Sequence, residues 1–278
     1  MLRRTFLALL PAPFLRAQNS TWDEPFPPHR IADNLFYVGS KGLASYLITT
    51  SEGCILINTG FERTVPIIRS NVEALGHKMT DIKIILGSHA HSDHMAGNAL
   101  ARELTGAQVL VMAGDDQVIS SGGKGQYLYP AGDWKPCPVN RVLHDGDQVT
   151  LGDATLTAVL TPGHTRGCTT WTMRVTDRGK TYLAVIVGSP NVNDGYQLVN
   201  NSDYPGIAQD FARTFARLKA LPCDIFLGAH GDYYGMLAKV DELKAHPDVN
   251  PFVDPDGYRA WIANREKAYL DTLRRQRR

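Results

Sequence analysis

The sequence lacks several features, and each absence excludes something. No apolar run approaches the ~20 residues that a membrane-crossing helix needs, so no membrane span is expected. Neither charge sign is in surplus. Lys+Arg number 29 against 28 Asp+Glu, a net charge of +1, so nothing points to a nucleic-acid partner and no acidic tail is present. The four cysteines, Cys54, Cys137, Cys168 and Cys223, make no CxxC pair. Four allow three disulfide pairings, and spacing does not choose among them. Cys54 and Cys223 lie in or beside apolar strands, where a buried free thiol is as natural as a bridge. Serine-nucleophile chemistry has one formal motif, Ser121-Gly122-Gly123-Lys124. It falls in a Gly-rich loop, not at a helix start, and its companion motifs S-D-N and K-T-G are missing, so it is a chance match.

The N-terminus has the layout of a secretory signal peptide. Met1-Leu2-Arg3-Arg4 is basic, Thr5 to Leu15 is apolar apart from Pro11 and Pro13, and Ala17 precedes a cut at Gln18. Residues 1–17 are therefore expected to be a leader, with the mature chain periplasmic or secreted. Residues 18–278 are expected to form a single domain, and a monomer.

Periodicity sketches that domain. Residues 18–30 are Pro-rich and read as an extended arm. Short apolar runs at Leu35–Val38, Ala44–Ile48 and Cys54–Ile57 read as strands. A helix (Thr64–Leu75), a strand (Asp81–Leu86), a helix (Met95–Leu104) and a strand (Gln108–Met112) follow. Residues 114–140 carry five glycines and three prolines with no clear period, a long loop of the kind that is usually functional. Strands then follow at 141–143, 148–151, 155–160, 169–175 and 182–187, with Asp145-Gly146 and Asp177-Arg178-Gly179 as hairpin turns. Ile207–Ala220 is a helix, Asp224–Leu227 a strand, and Met236–Ala245 and Tyr258–Leu273 are helices. Strands, helix, strand, helix thus occurs twice. Two mixed β-sheets packed together, with helices on both outer faces, would bury that pattern: an α/β, four-layer αββα sandwich.

One turn carries the chemistry. His89, His91, Asp93 and His94 fall within six residues, directly after the strand ending at Leu86. Imidazole and carboxylate are favoured zinc ligands, and ligand sites gather at the carboxyl ends of strands. Other strands also end in small or polar residues: Asn58-Thr59-Gly60, Thr161-Pro162-Gly163-His164, Gly188-Ser189-Pro190 and Gly228-Ala229-His230. If those ends share one edge, His164 and His230 complete six ligands, enough for two metal ions. His29, His77, His144 and His246 lack such a setting and are expected at the surface.

His89-Ala90-His91-Ser92-Asp93-His94 with His164 and His230 resembles the metallo-β-lactamase superfamily, whose αββα sandwich agrees with the element order. The motif alone is shared by glyoxalase II, lactonases, tRNA-processing ribonucleases and alkylsulfatases. Gly188-Ser189 stands where glyoxalase-like members place a metal-bridging aspartate and two β-lactamase subclasses place a cysteine ligand. The third subclass, B3, has serine there. Phe36-Tyr37-Val38-Gly39, Ile55 to Gly60, Gly163 to Trp171 and Asn191-Val192-Asn193 also look like that subclass. The resemblance spans roughly residues 20–275. Asn58 departs from it, since much of the superfamily has aspartate there, and Ser189-Pro190-Asn191 lacks a second serine.

The resemblance implies two Zn2+ per chain. His89, His91 and His164 would hold the first, and Asp93, His94 and His230 the second. It further implies hydrolysis of the β-lactam amide of penicillins, cephalosporins and carbapenems, and hence antibiotic resistance, with Asp93 orienting the nucleophile. Ser189 and Asn191 would bind the carboxylate of a small-molecule β-lactam, and Tyr127, Tyr129 and Trp134 are candidates for the cleft wall. The alternatives are another hydrolase of the same fold, such as a lactonase, or a non-enzymatic zinc-binding relative.

Overall fold

The computed structural model describes residues 20–278; the expected leader, residues 1–17, lies outside them. Strands β1 (His29–Ala32), β2 (Leu35–Tyr37), β3 (Tyr46–Thr50) and β4 (Gly53–Ile57) form an antiparallel meander. Helix α1 (Val65–Ala74) leads to β5 (Ile82–Leu86). Helices α2 (Ser92–Met95) and α3 (Asn98–Thr105) then lead to β6 (Gln108–Met112), and α4 (Asp116–Ser120) precedes β7 (Arg141–Leu143). The last four strands of this seven-stranded sheet run parallel, as crossover helices require. The second sheet, in the order β12-β11-β10-β9-β8, comprises β8 (Gln148–Leu151), β9 (Ala154–Leu160), β10 (Thr169–Asp177), β11 (Lys180–Val187) and β12 (Ile225–Gly228). Helix α5 (Ile207–Ala220) connects β11 to its parallel neighbour β12, and α6 (Met236–Ala245) and α7 (Pro255–Gln276) finish the chain.

Side-chain alternation sets the layers. In β4, Ile55 and Ile57 join the core shared with the second sheet, while Cys54 and Leu56 face the cluster that holds Val65, Ile68 and Val72 of α1. In β6, Leu110 and Met112 take the first side and Val109 and Val111 the second. This period of two, read on a strand covered on both faces, makes each residue apolar. Phe211 and Phe215 of α5 and Tyr269 of α7 cover the other face of the second sheet. The result is the expected αββα sandwich. All four cysteines are buried and free.

Three expectations are corrected. Asp145-Gly146 is not a hairpin turn: β7 pairs with β6 in the first sheet and β8 with β9 in the second, so this turn carries the chain between sheets. Its partners decide the matter, since the Gly146 N–H donates to Ala158 O (2.8 Å) and Asp145 accepts from the Leu160 N–H (2.9 Å). Arg178-Gly179 does form a two-residue hairpin loop, with φ of +51° and +75°, the primed-turn geometry that suits twisted strands. The helix expected from Met95 breaks at Gly97, where a Cβ would lie 2.7 Å from both Thr59 O and the Val65 side chain. Finally, His29 is half-buried and not the exposed residue expected. Its ring lies flat between Tyr37 (centroids 4.9 Å apart) and Phe252 (5.7 Å), and its Nε2 is buried without a partner.

Burial pushes the His29 pKa down from 6.5 to about 4. The native state therefore resists a proton that the unfolded chain accepts. This contribution to stability is complete above pH 6.5 and is lost as pH falls toward 4, and by pH 5 the loss is about 2 kcal/mol. His29→Phe keeps a flat ring and cannot titrate. Its urea midpoint is expected to fall less than the parent's between pH 7 and pH 5; equal falls would contradict the assignment.

Candidate metal centre

The ends of β4, β5, β9, β11 and β12 meet at one edge of the sandwich. β5 stops at Leu86, and Gly87-Ser88 carries the backbone to His89. His91 remains extended (φ −107°, ψ 155°) before the chain turns into α2, which holds Asp93 and His94. The rings of His89 and His91 lie 4.8 Å apart, and each lies 4.6 Å from that of His164. One donor atom from each of these three falls within 4.8 Å of the others. His230, just past β12, brings its Nε2 to 3.1 Å from Nε2 of His94. Asp93 Oδ2 is 3.2 Å from the His94 nitrogen and 3.5 Å from the His230 nitrogen.

The turn at the end of β4 braces this cluster. Asn58 sits at φ +63°, a left-handed conformation that asparagine tolerates better than most residues. Its Oδ1 accepts from the Ser88 N–H (2.8 Å) and its Nδ2 donates to Ala44 O (3.2 Å). Aspartate could not make the second bond, which gives the departure at this position a local reason. Thr59 and Gly60 direct their N–H groups at His94 O, at 2.9 and 3.1 Å. His164 follows Gly163, whose φ of +126° suits glycine and whose Cβ would strike the Phe211 ring. Its Nδ1 is 2.7 Å from Asn191 O. A carbonyl only accepts, so Nδ1 carries the proton and the neutral ring presents a bare Nε2, the tautomer of a metal ligand.

Electrostatics agree with ligation. Burial pushes His89 and His91 well below the ordinary histidine range, reinforced by neighbouring imidazoles. Burial likewise lowers His164 to about 4 and His230 to about 3. These rings are neutral at pH 7, with lone pairs available. Burial opposes charge on Asp93, but the imidazoles of His94, His230 and His91 outweigh it and hold the carboxyl below its usual range.

The residues fit zinc. Donors about 2.0–2.1 Å from a tetrahedral ion stand about 3.3–3.4 Å apart, and Asp93, His94 and His230 are spaced at 3.1, 3.2 and 3.5 Å. Two imidazole nitrogens facing each other at 3.1 Å can share at most one proton, whereas a cation between such donors uses every lone pair.

A cavity of about 1200 Å³ opens onto the cluster, with His89, His91, Asp93, His164 and His230 on its wall. His94 is fully buried behind them. Asn191 lines the cavity, as do Tyr129 and Trp134. Tyr127 does not: it packs edge-on against Tyr196 and accepts from the Gln197 N–H. Ser189 is 1% exposed and off the cavity wall. Its hydroxyl meets the Tyr233 phenol at 3.2 Å and accepts from the Asn191 N–H at 3.3 Å.

Sequence reasoning missed four residues here. Tyr233 lines the cavity and accepts from Asn191 Nδ2 (2.9 Å); its place three residues after His230 was the available signal. Gln126, from the long loop, brings its side-chain nitrogen to 2.7 Å from His91 Nε2. Trp22, in the Pro-rich arm, lies 5.5 Å from the His230 ring. Asp115 is buried, and nothing in its local sequence points to the cluster. Ser121 spends its hydroxyl within its own turn, on Val118 O and Lys124 O.

A family model described as the metallo-beta-lactamase superfamily matches residues 42–177. The native FEZ-1 metallo-beta-lactamase from Legionella gormanii is 48% identical and has a TM-score of 0.90, covering 91% of this chain and 98% of that one. LRA-12, a class B3 di-zinc metallo-beta-lactamase from an Alaskan soil metagenome, is 35% identical with a TM-score of 0.88, covering 92% of this chain and 97% of that one. Among curated proteins, a hydroxyacylglutathione hydrolase of Rhodospirillum rubrum is 30% identical over 95 residues, 34% of this chain and 29% of that protein. The matches span about half or less of the curated relatives' lengths.

Asp93→Asn keeps the side-chain volume and removes the charge. Losing an outer partner of a ligand already costs 10–100-fold in metal affinity, so losing a direct carboxylate is expected to weaken zinc uptake by about 100-fold or more, with an unchanged circular dichroism spectrum. Titration against a chromophoric chelator measures it. Parental affinity in a folded Asp93→Asn protein would remove Asp93 from the ligand set.

Proposed function

Because the chain belongs to the metallo-β-lactamase superfamily and has the fold of its hydrolases, we propose that it is a zinc β-lactamase of the B3 kind. The observation that carries this reading is the second donor set. Asp93, His94 and His230 converge without a cysteine or a bridging aspartate, and Ser189, at the position that would supply one, is engaged in hydrogen bonds. His89, His91 and His164 would hold a first zinc and this set a second. The hydroxyacylglutathione hydrolases match less than half of the chain, and the bridging aspartate that the resemblance leads one to expect of glyoxalase-like members is missing here.

Zinc, when bound, lowers the pKa of water toward neutrality and polarises a carbonyl. The chain's own residues do the rest. The Asp93 carboxylate, ionised and facing the cavity, accepts a hydrogen bond from the attacking water and so aims its lone pair at the β-lactam carbonyl. His164, fixed by Asn191 O and stacked on Tyr196, cannot rotate away from its neighbours. The carboxylate that β-lactams carry would meet Asn191 and Tyr233. Ser189 stands behind them: by donating into the phenol oxygen, as Asn191 Nδ2 does, it leaves the phenol proton free to point into the cavity. Trp22, Phe61 and Trp134 offer apolar surface for the substrate's substituents.

Two outcomes check this reading. The purified chain is expected to hydrolyse a chromogenic cephalosporin, to stop after chelation and to recover with added zinc; persistent turnover in metal-free protein would falsify it. Tyr233→Phe should raise KM by roughly tenfold, the cost of a hydrogen bond to a charged group, and Ser189→Ala, one contact further from the substrate, by less, with kcat changed less and zinc content unchanged in both. If Ser189→Ala instead sheds zinc, Ser189 belongs with the metal and not with the substrate.

A further inference from the structure

Asp115 lies beyond β6, 21 residues after the histidine turn, and outside both donor sets. Its carboxylate is nevertheless 2% exposed and fully used. Oδ2 accepts from the Ala90 N–H at 2.8 Å and from the Thr165 hydroxyl at 2.7 Å, and Oδ1 accepts from the Gly167 N–H at 2.8 Å. Ala90 is the residue between His89 and His91, and Thr165 follows His164 directly. One carboxylate therefore ties together the two loops that carry the first donor set, the first from one sheet's edge and the second from the other's. The loops can come this close because of glycine. A Cβ on Gly167 would sit 2.7 Å from Asp115 N, and one on Gly114 would sit 2.9 Å from the Arg166 side chain. Among the described residues no comparable tie reaches the second set: His94 is held by the Thr59 and Gly60 N–H groups, and His230 by a bridge to Leu43 in the loop between β2 and β3.

We propose that Asp115 is a positioning residue for the first metal, holding His89, His91 and His164 in register across the seam of the sandwich so that one ion finds all three donors at once. This rests on the reading that those histidines bind metal. A carboxylate is suited to the task because it accepts from three donors at once. An asparagine in its place must turn an N–H2 group toward at least one N–H or O–H donor, which pushes the loops apart. Charge-assisted bonds are also the strong ones, and outer partners of this kind set metal affinity by orienting the ligands.

The test uses zinc alone, titrated against a chromophoric chelator, in two full-length backgrounds. His230→Ala leaves only the first set complete, and His164→Ala leaves only the second. Asp115→Asn is expected to weaken zinc binding about 10–100-fold in the first background and less than about threefold in the second. Equal losses in both would show a general structural role and overturn the proposal, as would unchanged affinity in the first. If Asp115→Asn does not fold, Thr165→Val and Thr165→Ser replace it. Valine, which removes one bond, is expected to lower first-set affinity while serine retains it, and no difference between them overturns the proposal. A His230→Ala protein that takes up no zinc at all overturns the metal reading itself, and this inference with it.

Discussion

Five imidazoles and one carboxylate crowd together at one edge of this protein, largely shielded from water. That crowding is the constraint that the surrounding structure answers. Buried imidazoles cannot all be protonated, because each cation would be desolvated and would repel the next. The lowered pKa values of His89, His91, His164 and His230 are the result. A cluster of neutral rings still has to be held with lone pairs pointing inward, and here backbone groups do much of the holding. Asn191 O fixes the tautomer of His164, and the Thr59 and Gly60 N–H groups fix the carbonyl of His94. Hydrogen bonds to main-chain atoms are suited to this because the main chain at a strand end has little freedom to move.

The sandwich supplies those strand ends. Parallel order in one half of the first sheet and along the β11–β12 pair points several carboxyl ends the same way, and inter-sheet packing of residues such as Ile55, Ile57 and Trp171 sets the two sheets in register. Trp171 contributes beyond its bulk, since its indole N–H donates to Gly87 O (3.0 Å), directly before the histidine turn. Glycines 97, 163 and 167 stand where loops from different elements touch, each at a point where a Cβ would meet another part of the chain at under 3 Å. The crowded site thus depends on residues with no side chain as much as on those with one.

Much of this was legible in the sequence because the signals are local. A histidine-rich turn directly after an apolar strand, and four further strands ending in glycine, asparagine or threonine, announce a shared edge without any knowledge of which strand pairs with which. The order of elements was legible for the same reason. What was not legible depends on contacts between distant segments. Asp145-Gly146 signals a reversal but cannot say that the next strand joins another sheet. His29 looks like any exposed histidine until Tyr37 and Phe252 close on it. Ser189 occupies a position that invites a substrate role, yet Tyr233, 44 residues later, covers it. Asp115 and Gln126 lie in a segment with no period at all, and only the folded chain shows that Gln126 reaches His91 and Asp115 the loops that carry the histidines.

The two sets of donors are each drawn from both halves of the chain: His89 and His91 with His164, Asp93 and His94 with His230. Neither set exists in a half-made molecule. An ion held by such residues recognises the docked sandwich and not its parts, so its binding free energy adds directly to the stability of the assembled state. In a cell short of the ion, the chain would forfeit persistence as well as activity, because the unligated molecule opens and is degraded more readily. The supply of a trace element would then set how long each copy of the protein survives.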